Sequence, residues 1–451
     1  MHSFIERPRF SCALSGALMA ASALPETIPI LHSVAGCAGS VAWTQQGGSA
    51  LQVGGPCGCL SVPGTNLRER EVVFGGADRL REQIANTLKV MEGRFFVVLT
   101  GCVSEVIGDD VDSVVREFQR EGVSIVAART GGFRGDSYRG YEELLKALFR
   151  NYVQTARRKS PRLVNLWGVV PGQDVFWRGN LETIRRLLED LRLKVNTFFT
   201  GEDSLERLAG AGKAALNVVV SPLYGVEAAE DFNDLHGTEY IIAPFPIGPT
   251  ATRRFLEAVA GALDANEKDL ERIVNRERDR YYRYLSPLTD AWNDFDFQRY
   301  ALVIGDANYS FALADFLADD LGWLPEQVVV TDALREDQRE DLVRRRSSLR
   351  ETEHQLIFES DTSAIQRRID KRWLPVVADS YRESFPYQET FSPAFVIGSS
   401  QDRELAELLR AGFLSVSFPV SNRAVLDRTY VGYRGGLRLI EDLTAVMVAT
   451  R

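Results

Sequence analysis

Phe95-Phe96-Val97-Val98-Leu99-Thr100-Gly101-Cys102 opens with five apolar residues and ends on a threonine, a glycine and a cysteine. An apolar run of this length, bounded by turn residues, reads as a strand buried on both faces. Just beyond it Val106, Val111, Val114, Val115 and Phe118 recur at about helical spacing, so the chain passes from strand to helix within a few residues. A strand that feeds a helix is the unit of a parallel sheet covered by helices, and open α/β sheets bind ligands in the loops at the strands' carboxyl ends. Cys102 stands in such a loop and near a helix N-terminus, where exposed N–H groups favour a thiolate or an anionic cluster.

The same unit recurs outward from this stretch. Residues 27–31 read as a strand with Cys37 in the loop beyond it, and residues 123–127 as a third strand. Between them, Leu80, Ile84, Leu88 and Met91 share one face of a helix over residues 77–91. This group closes in the charged segment 152–162. A second group has strands at 163–170, 194–199, 215–220 and 240–242, a helix over 181–191 and a long helical run over 251–284. A third has strands at 301–304, 327–330, 354–358 and 394–397. The expected fold class is therefore α/β, parallel sheets flanked by helices, with domains over 1–160, 161–298 and 299–451 and clefts between them suited to a cofactor. The Arg- and Glu-rich stretch 336–353 reads as solvated helix surface.

A chain of 451 residues exceeds one ordinary hydrophobic core, and 45% hydrophobic with 25% charged residues is ordinary globular composition. A formal charge of -9 argues against nonspecific nucleic-acid binding and favours a neutral or basic protein partner. No run approaches the ~20 apolar residues of a membrane span. Arg7 and Arg9 before the apolar stretch 13–24, with Ala21-Ser22-Ala23 inside it, imitate a secretory leader. Cleavage there would discard Cys12, and the cysteines do not form a disulfide framework, so a reduced, cytoplasmic protein is expected.

All five cysteines, Cys12, Cys37, Cys57, Cys59 and Cys102, lie in the first quarter of the chain. Residue type alone leaves two readings open: ligands of a metal or cluster, or small buried hydrophobes. Several other chemistries lack their motif. Gly212-Lys213-Ala214 is no phosphate loop, Gly131-Gly132-Phe133-Arg134-Gly135 has the wrong order for a dinucleotide turn, and no serine sits in a G-x-S-x-G elbow. The histidines His2, His32, His236 and His354 have no metal-ligand spacing. His32, beside the Cys37 loop, reads either as a donor to a cluster sulfur or as a satisfied structural histidine.

Leu99-Thr100-Gly101-Cys102-Val103-Ser104-Glu105-Val106-Ile107-Gly108-Asp109-Asp110 closely resembles the cysteine loop of the nitrogenase component 1 β subunit. Pro29-Ile30-Leu31-His32-Ser33-Val34-Ala35-Gly36-Cys37 resembles that family's second cysteine loop, and Arg9-Phe10-Ser11-Cys12 falls where its first is expected. Weaker matches follow at Val73-Phe74-Gly75-Gly76, Val170-Pro171-Gly172, Gly179-Asn180 and Gly432-Tyr433-Arg434-Gly435-Gly436, so the likeness spans nearly the whole chain.

The resemblance implies three Rossmann-like domains and a β-type subunit paired with an α-type subunit as an α2β2 heterotetramer. It implies Cys12, Cys37 and Cys102 as ligands of a P-cluster-type [8Fe-7S] centre shared across the subunit seam, with [4Fe-4S] as the alternative. Electrons would come from an ATP-hydrolysing homodimeric iron-sulfur reductase docking near Phe74, and go to a catalytic cofactor on the α-type subunit. The family's α subunit holds that cofactor through a later cysteine; none follows Cys102 here, which fits a β-type chain.

Two departures stand out. Gly132 falls where the β subunit has a serine that ligates the oxidised P-cluster, and Cys57 and Cys59 have no counterpart. Gly36-Cys37-Ala38-Gly39-Ser40 and Pro63-Gly64-Thr65-Asn66 look more like the divergent nitrogenase-like branch that includes methylthio-alkane reductase. That branch implies reductive C–S cleavage in sulfur metabolism. The alternatives are a dinitrogen-reducing β subunit, a cofactor-assembly scaffold and a chlorophyllide-type reductase subunit.

Overall fold

The computed structural model describes residues 4–50, 62–264, 267–294, 299–347, 355–369 and 395–449. Among them run twelve strands, all in parallel pairs and grouped into three sheets flanked by helices. The first sheet has the order β1 (Thr27–His32), β2 (Phe95–Thr100), β3 (Ile125–Ala128). The second places β4 (Ser160–Trp167) between β5 (Lys194–Asn196) and β6 (Ala214–Val219), with β7 (Tyr240–Ile242) outside β6. The third orders β10 (Gln355–Phe358), β9 (Leu324–Val330), β8 (Tyr300–Gly305), β11 (Phe395–Gly398) and β12 (Gly412–Ser415). All six residues of β2 are buried, as a central parallel strand with covered faces requires.

Register in the first sheet sets the position of everything that follows. His32 pairs with Thr100 and Leu99 with Ala128, so the three strands finish level and their exits open on one edge. Those exits carry Ser33 to Cys37, Gly101 to Cys102 and Arg129 to Gly135.

The apolar stretch expected to imitate a leader is a helix, Ala13–Ala23, with nine buried residues from Ala13 to Ala21. A helix that is apolar on every side belongs in an interior. It crosses the helix Ser137–Asn151 so closely that a Cβ on Gly16 would collide with the Ser137 carbonyl, and one on Gly140 with the Ala13 carbonyl. Glycine at both positions lets the two backbones touch. The long run over 251–284 is two helices, Gly248–Ala262 and Glu267–Leu285, and β12 is a strand that periodicity missed.

The apolar interior does not divide at the sheet boundaries. One buried cluster runs from Leu14 to Met447 and touches all three sheets. Two smaller ones cover the outer face of the first sheet, around Ile84, Phe96 and Val98, and of the third, around Leu302 and Val396. Among the described residues no helix is long and apolar enough to cross a membrane.

Candidate functional site

Cys102 opens a short helix, Cys102–Val106, immediately after β2, and Cys37 is the third residue of the helix Ala35–Gly48 after β1. Cys12 is the N-cap of the helix Ala13–Ala23 and comes to the same edge by bridging Asp136, beyond β3. Its segment is held from the far side. Arg9 forms a buried two-pronged ion pair with Asp402, its Nε donates to Thr362 Oγ1 at 3.0 Å, and its carbonyl accepts from Gln173 Nε2 at 2.8 Å. Residues from the second and third sheets thus fix the approach of Cys12 to the first.

Gly132 is the meeting point. A Cβ built on it would lie 3.2 Å from Cys102 Sγ, 3.2 Å from Cys12 Cβ and 3.6 Å from Cys12 Sγ. The two thiols therefore flank one small volume, left open because position 132 has no side chain. The Gly132 N–H donates to Cys102 Sγ at 3.1 Å, so a backbone dipole is aimed at this sulfur.

Glu105 locks this loop to the Cys102 helix. It accepts from Thr100 Oγ1 at 2.5 Å, from the Gly131 N–H at 2.7 Å and from Arg134 Nε at 2.5 Å. Burial pushes the Glu105 carboxyl upward, but the bonds from Thr100, Arg134 and Gly131 outweigh it and hold the pKa below the usual carboxylate value. Thr130 adds a second tie, donating its hydroxyl to the Thr100 carbonyl at 2.8 Å.

On the β1 side, both ring nitrogens of buried His32 are occupied. Nε2 lies 2.9 Å from Asp109 Oδ2 and Nδ1 lies 3.2 Å from Thr65 Oγ1. Of the two readings of His32, the structural one holds: both nitrogens are engaged by Asp109 and Thr65 and neither is left for a cluster sulfur. Burial lowers its pKa, against the opposing pull of Asp109. Phe74 ends the short helix Glu69–Phe74 and is 83% exposed, with Val72 and Val73 exposed beside it, so it is no core phenylalanine.

Cys12 and Cys102 are exposed, unlike small buried hydrophobes, whereas Cys37 is half-buried and packs against the main apolar cluster. Cys12 and Cys102 are brought together at Gly132; Cys37 stands on the neighbouring exit, where the Gly101 N–H donates to the His32 carbonyl at 2.9 Å. No trio of His, Cys, Asp and Glu among the described residues closes on a single ion. Thiolates are soft donors of the kind iron–sulfur centres use, and Cys12 and Cys102 are the two that the structure brings together. Cys57 and Cys59 lie outside the described residues. Glu105, Thr100 and Asp109 were not singled out as site residues from sequence; their signal was their place, Thr100 at the end of β2 and the two carboxylates five and nine residues beyond it.

Residues 12–448 match the family described as nitrogenase component 1 type oxidoreductase. The chain belongs to this family. The nitrogenase molybdenum-iron protein beta chain of Bradyrhizobium diazoefficiens is 25% identical over 72% of this chain and 65% of its own length. The nitrogenase vanadium-iron protein beta chain of Trichormus variabilis is 21% identical over 98% of this chain and 94% of its own. The nitrogenase molybdenum-iron protein alpha chain of Methanosarcina barkeri is 24% identical over 57% and 48%. The chain thus spans less than two thirds of the length of the Bradyrhizobium and Methanosarcina relatives. A solved chain described as nitrogenase Cp1 at pH 6.5 superposes with a TM-score of 0.79 over 100% of this chain and 94% of its own, at 17% identity, which shows a shared fold. Among the described residues of this nitrogenase component 1 chain, the exposed thiols lie on the exit edge of the first sheet.

Proposed function

We propose that this chain is the β-type, electron-relay subunit of a nitrogenase-like reductase, and that Cys12, Cys37 and Cys102 hold its half of a P-cluster-type [8Fe-7S] centre at the seam with an α-type subunit. The observation that carries the reading is the pair of exposed thiols flanking Gly132 at the exit edge of the first sheet. When bound, such a centre supplies one-electron storage and transfer at a potential set by nearby dipoles and burial. The chain's own residues supply the rest. The Gly132 N–H polarises the Cys102 sulfur, Glu105 holds that N–H in place, and the Arg9–Asp402 pair fixes the Cys12 segment. A partner covering this edge would exclude water from thiols that are open in the isolated chain.

Exposed Phe74 is a fitting anchor for the ATP-hydrolysing iron-sulfur reductase protein, since an aromatic presented outward at a turn offers a large apolar contact. The three domains 1–160, 161–298 and 299–451 would each be built on one of the three sheets. An α2β2 heterotetramer in the cytoplasm follows from the same reading. For the substrate we favour methylthio-alkanes, cleaved at the C–S bond for sulfur salvage, on the likeness of the loops around Cys37 and Thr65 to that branch.

Iron content and EPR of the purified complex test the relay. About eight irons per αβ pair beyond those of the catalytic cofactor, with signals of an interface cluster, support it; a four-iron signature points to the chlorophyllide-type alternative, and no iron on this chain refutes the relay. Growth with a methylthio compound as sole sulfur source, with and without the gene, tests the substrate. Unchanged growth and no hydrocarbon release would remove the salvage reading and leave dinitrogen reduction. A scaffold reading is the further alternative, supported by 26% identity over 62% of this chain to a nitrogenase iron-molybdenum cofactor biosynthesis protein NifE of Methanococcus maripaludis.

A further inference from the structure

We infer that Asp109 is a positioning residue through which a protein pressing on the Phe74 turn acts on the cysteine-bearing exits; this rests on the relay reading above. The Asp109 side chain is buried and holds two elements at once. Its Oδ1 accepts the Gly76 N–H at 2.7 Å, two residues beyond Phe74, and its Oδ2 lies 2.9 Å from His32 Nε2, at the end of β1. Its own N–H donates to the Ser104 carbonyl at 3.1 Å, within the five-residue helix that begins at Cys102. Ser104 in turn donates its hydroxyl to the His32 carbonyl at 2.7 Å, closing a ring of contacts between the two exits.

Nothing in this arrangement leaves slack at the turn. A Cβ on Gly76 would lie 2.5 Å from Asp109 Oδ2, 2.9 Å from Leu67 Cδ2 and 3.1 Å from His32 Cε1. A close-packed contact transmits a displacement instead of absorbing it. Val72, Val73 and Phe74 on the outer side are exposed and available to a partner, while the inner side of the same turn rests on the carboxylate. A load on Phe74 therefore moves Gly76 against Asp109, and through Asp109 both His32 and the helix of Cys102. Such a link biases the sulfur geometry, and with it the redox potential of a centre held there.

The test uses the assembled complex with its iron-sulfur reductase component, and reads the midpoint potential of the interface centre by EPR-monitored titration, with and without the reductase docked in the presence of a non-hydrolysable ATP analogue. Wild type shows a shift of potential on docking. Asp109→Ala retains iron but loses most of that shift, and Asp109→Asn restores it, because its carbonyl accepts from Gly76 while its amide donates to the neutral imidazole. Phe74→Ala abolishes the shift by loss of docking, which pull-down of the reductase reports separately. An undiminished shift in Asp109→Ala, or a wild-type complex that holds iron and docks without any shift, overturns the inference. A wild-type complex without iron overturns the relay reading instead. Should Asp109→Ala fail to retain iron, Gly76→Ser is measured in its place. It keeps the carboxylate and both exits but crowds the contact, and an altered docking shift in it is required.

Discussion

At the scale of residues, position 132 shapes the cysteine edge. With hydrogen there the gap beside the sulfurs of Cys12 and Cys102 carries no side chain, and the Gly132 N–H lies 3.1 Å from one of them. Gly132→Val should fill that gap while leaving the surrounding fold intact, since the loop is anchored by Glu105 and Thr130 and not by residue 132. We expect iron retention to fall by at least about tenfold, with unfolding free energy within ~1 kcal/mol of wild type, because a surface-facing substitution seldom costs more. Iron assay and denaturant melts on the same preparation check both halves; full iron content in the valine variant would contradict the geometry. Cys37 and Cys102 stood out in the sequence because they follow apolar runs that read as strands, whereas Cys12 stood out only through the family resemblance. Glu105, Thr100 and Asp109 were not, because a carboxylate or hydroxyl near a strand exit has the same appearance whether it is solvated or, as here, turned inward to tie two loops together.

At the scale of elements, the parallel strands could be read from short β-branched runs between turn residues, and β2 and β7 match the expected bounds to the residue. One strand was missed and one helix could not be read from its segment alone, each for a physical reason. The strand Gly412–Ser415 is four residues long with glycine and serine at its ends, too short and too weakly apolar to show a period. The helix Ala13–Ala23 looked like a leader because both are uniformly apolar; what separates them is the packing of Gly16 and Gly140 against opposite backbones, which no single-segment pattern reveals. That packing makes a sharp prediction. Gly16→Ala and Gly140→Ala each force the helices Ala13–Ala23 and Ser137–Asn151 apart, and each should cost about 1–3 kcal/mol of overpacking strain. Because Cys12 caps the first of these helices, both variants should also lower iron retention. Thermal or denaturant melts within ~0.3 kcal/mol of wild type would show that the backbones do not touch in solution.

The whole molecule buries several carboxyls where its three sheets meet. Burial raises Glu142 to about 7 even though the Gly225 N–H opposes it, and raises Asp174 to about 7 against the Phe176 N–H. Asp306 and Asp332, facing one another through the Ala307 turn, are both pushed up by burial, Asp332 strongly. A raised carboxyl keeps its proton in the folded chain at a pH where the unfolded chain has already lost it. Stability from Glu142 therefore declines as pH rises from about 4.5, its unfolded value, toward 7, and levels off above. Glu142→Gln does not titrate. The unfolding free energy of wild type minus that of Glu142→Gln should fall by roughly 1–3 kcal/mol between pH 5 and 7.5, and a difference that stays flat or rises would contradict the assignment. These buried carboxyls contribute to the meeting of the three sheets, and the Arg9–Asp402 pair ties the Cys12 segment to the third of them. The cysteine edge thus depends on the complete chain and not on the first sheet alone.

The account as a whole rests on three sulfurs gripping one inorganic centre at a subunit seam. Anomalous diffraction at the iron edge, from crystals of the complex grown under reducing conditions, tests this most directly. The account predicts one compact group of iron peaks in contact with Cys12, Cys37 and Cys102 and bordered by Gly132, with the remaining contacts coming from the second polypeptide. Three cysteines free of iron density, or iron bound to this chain elsewhere, would contradict it.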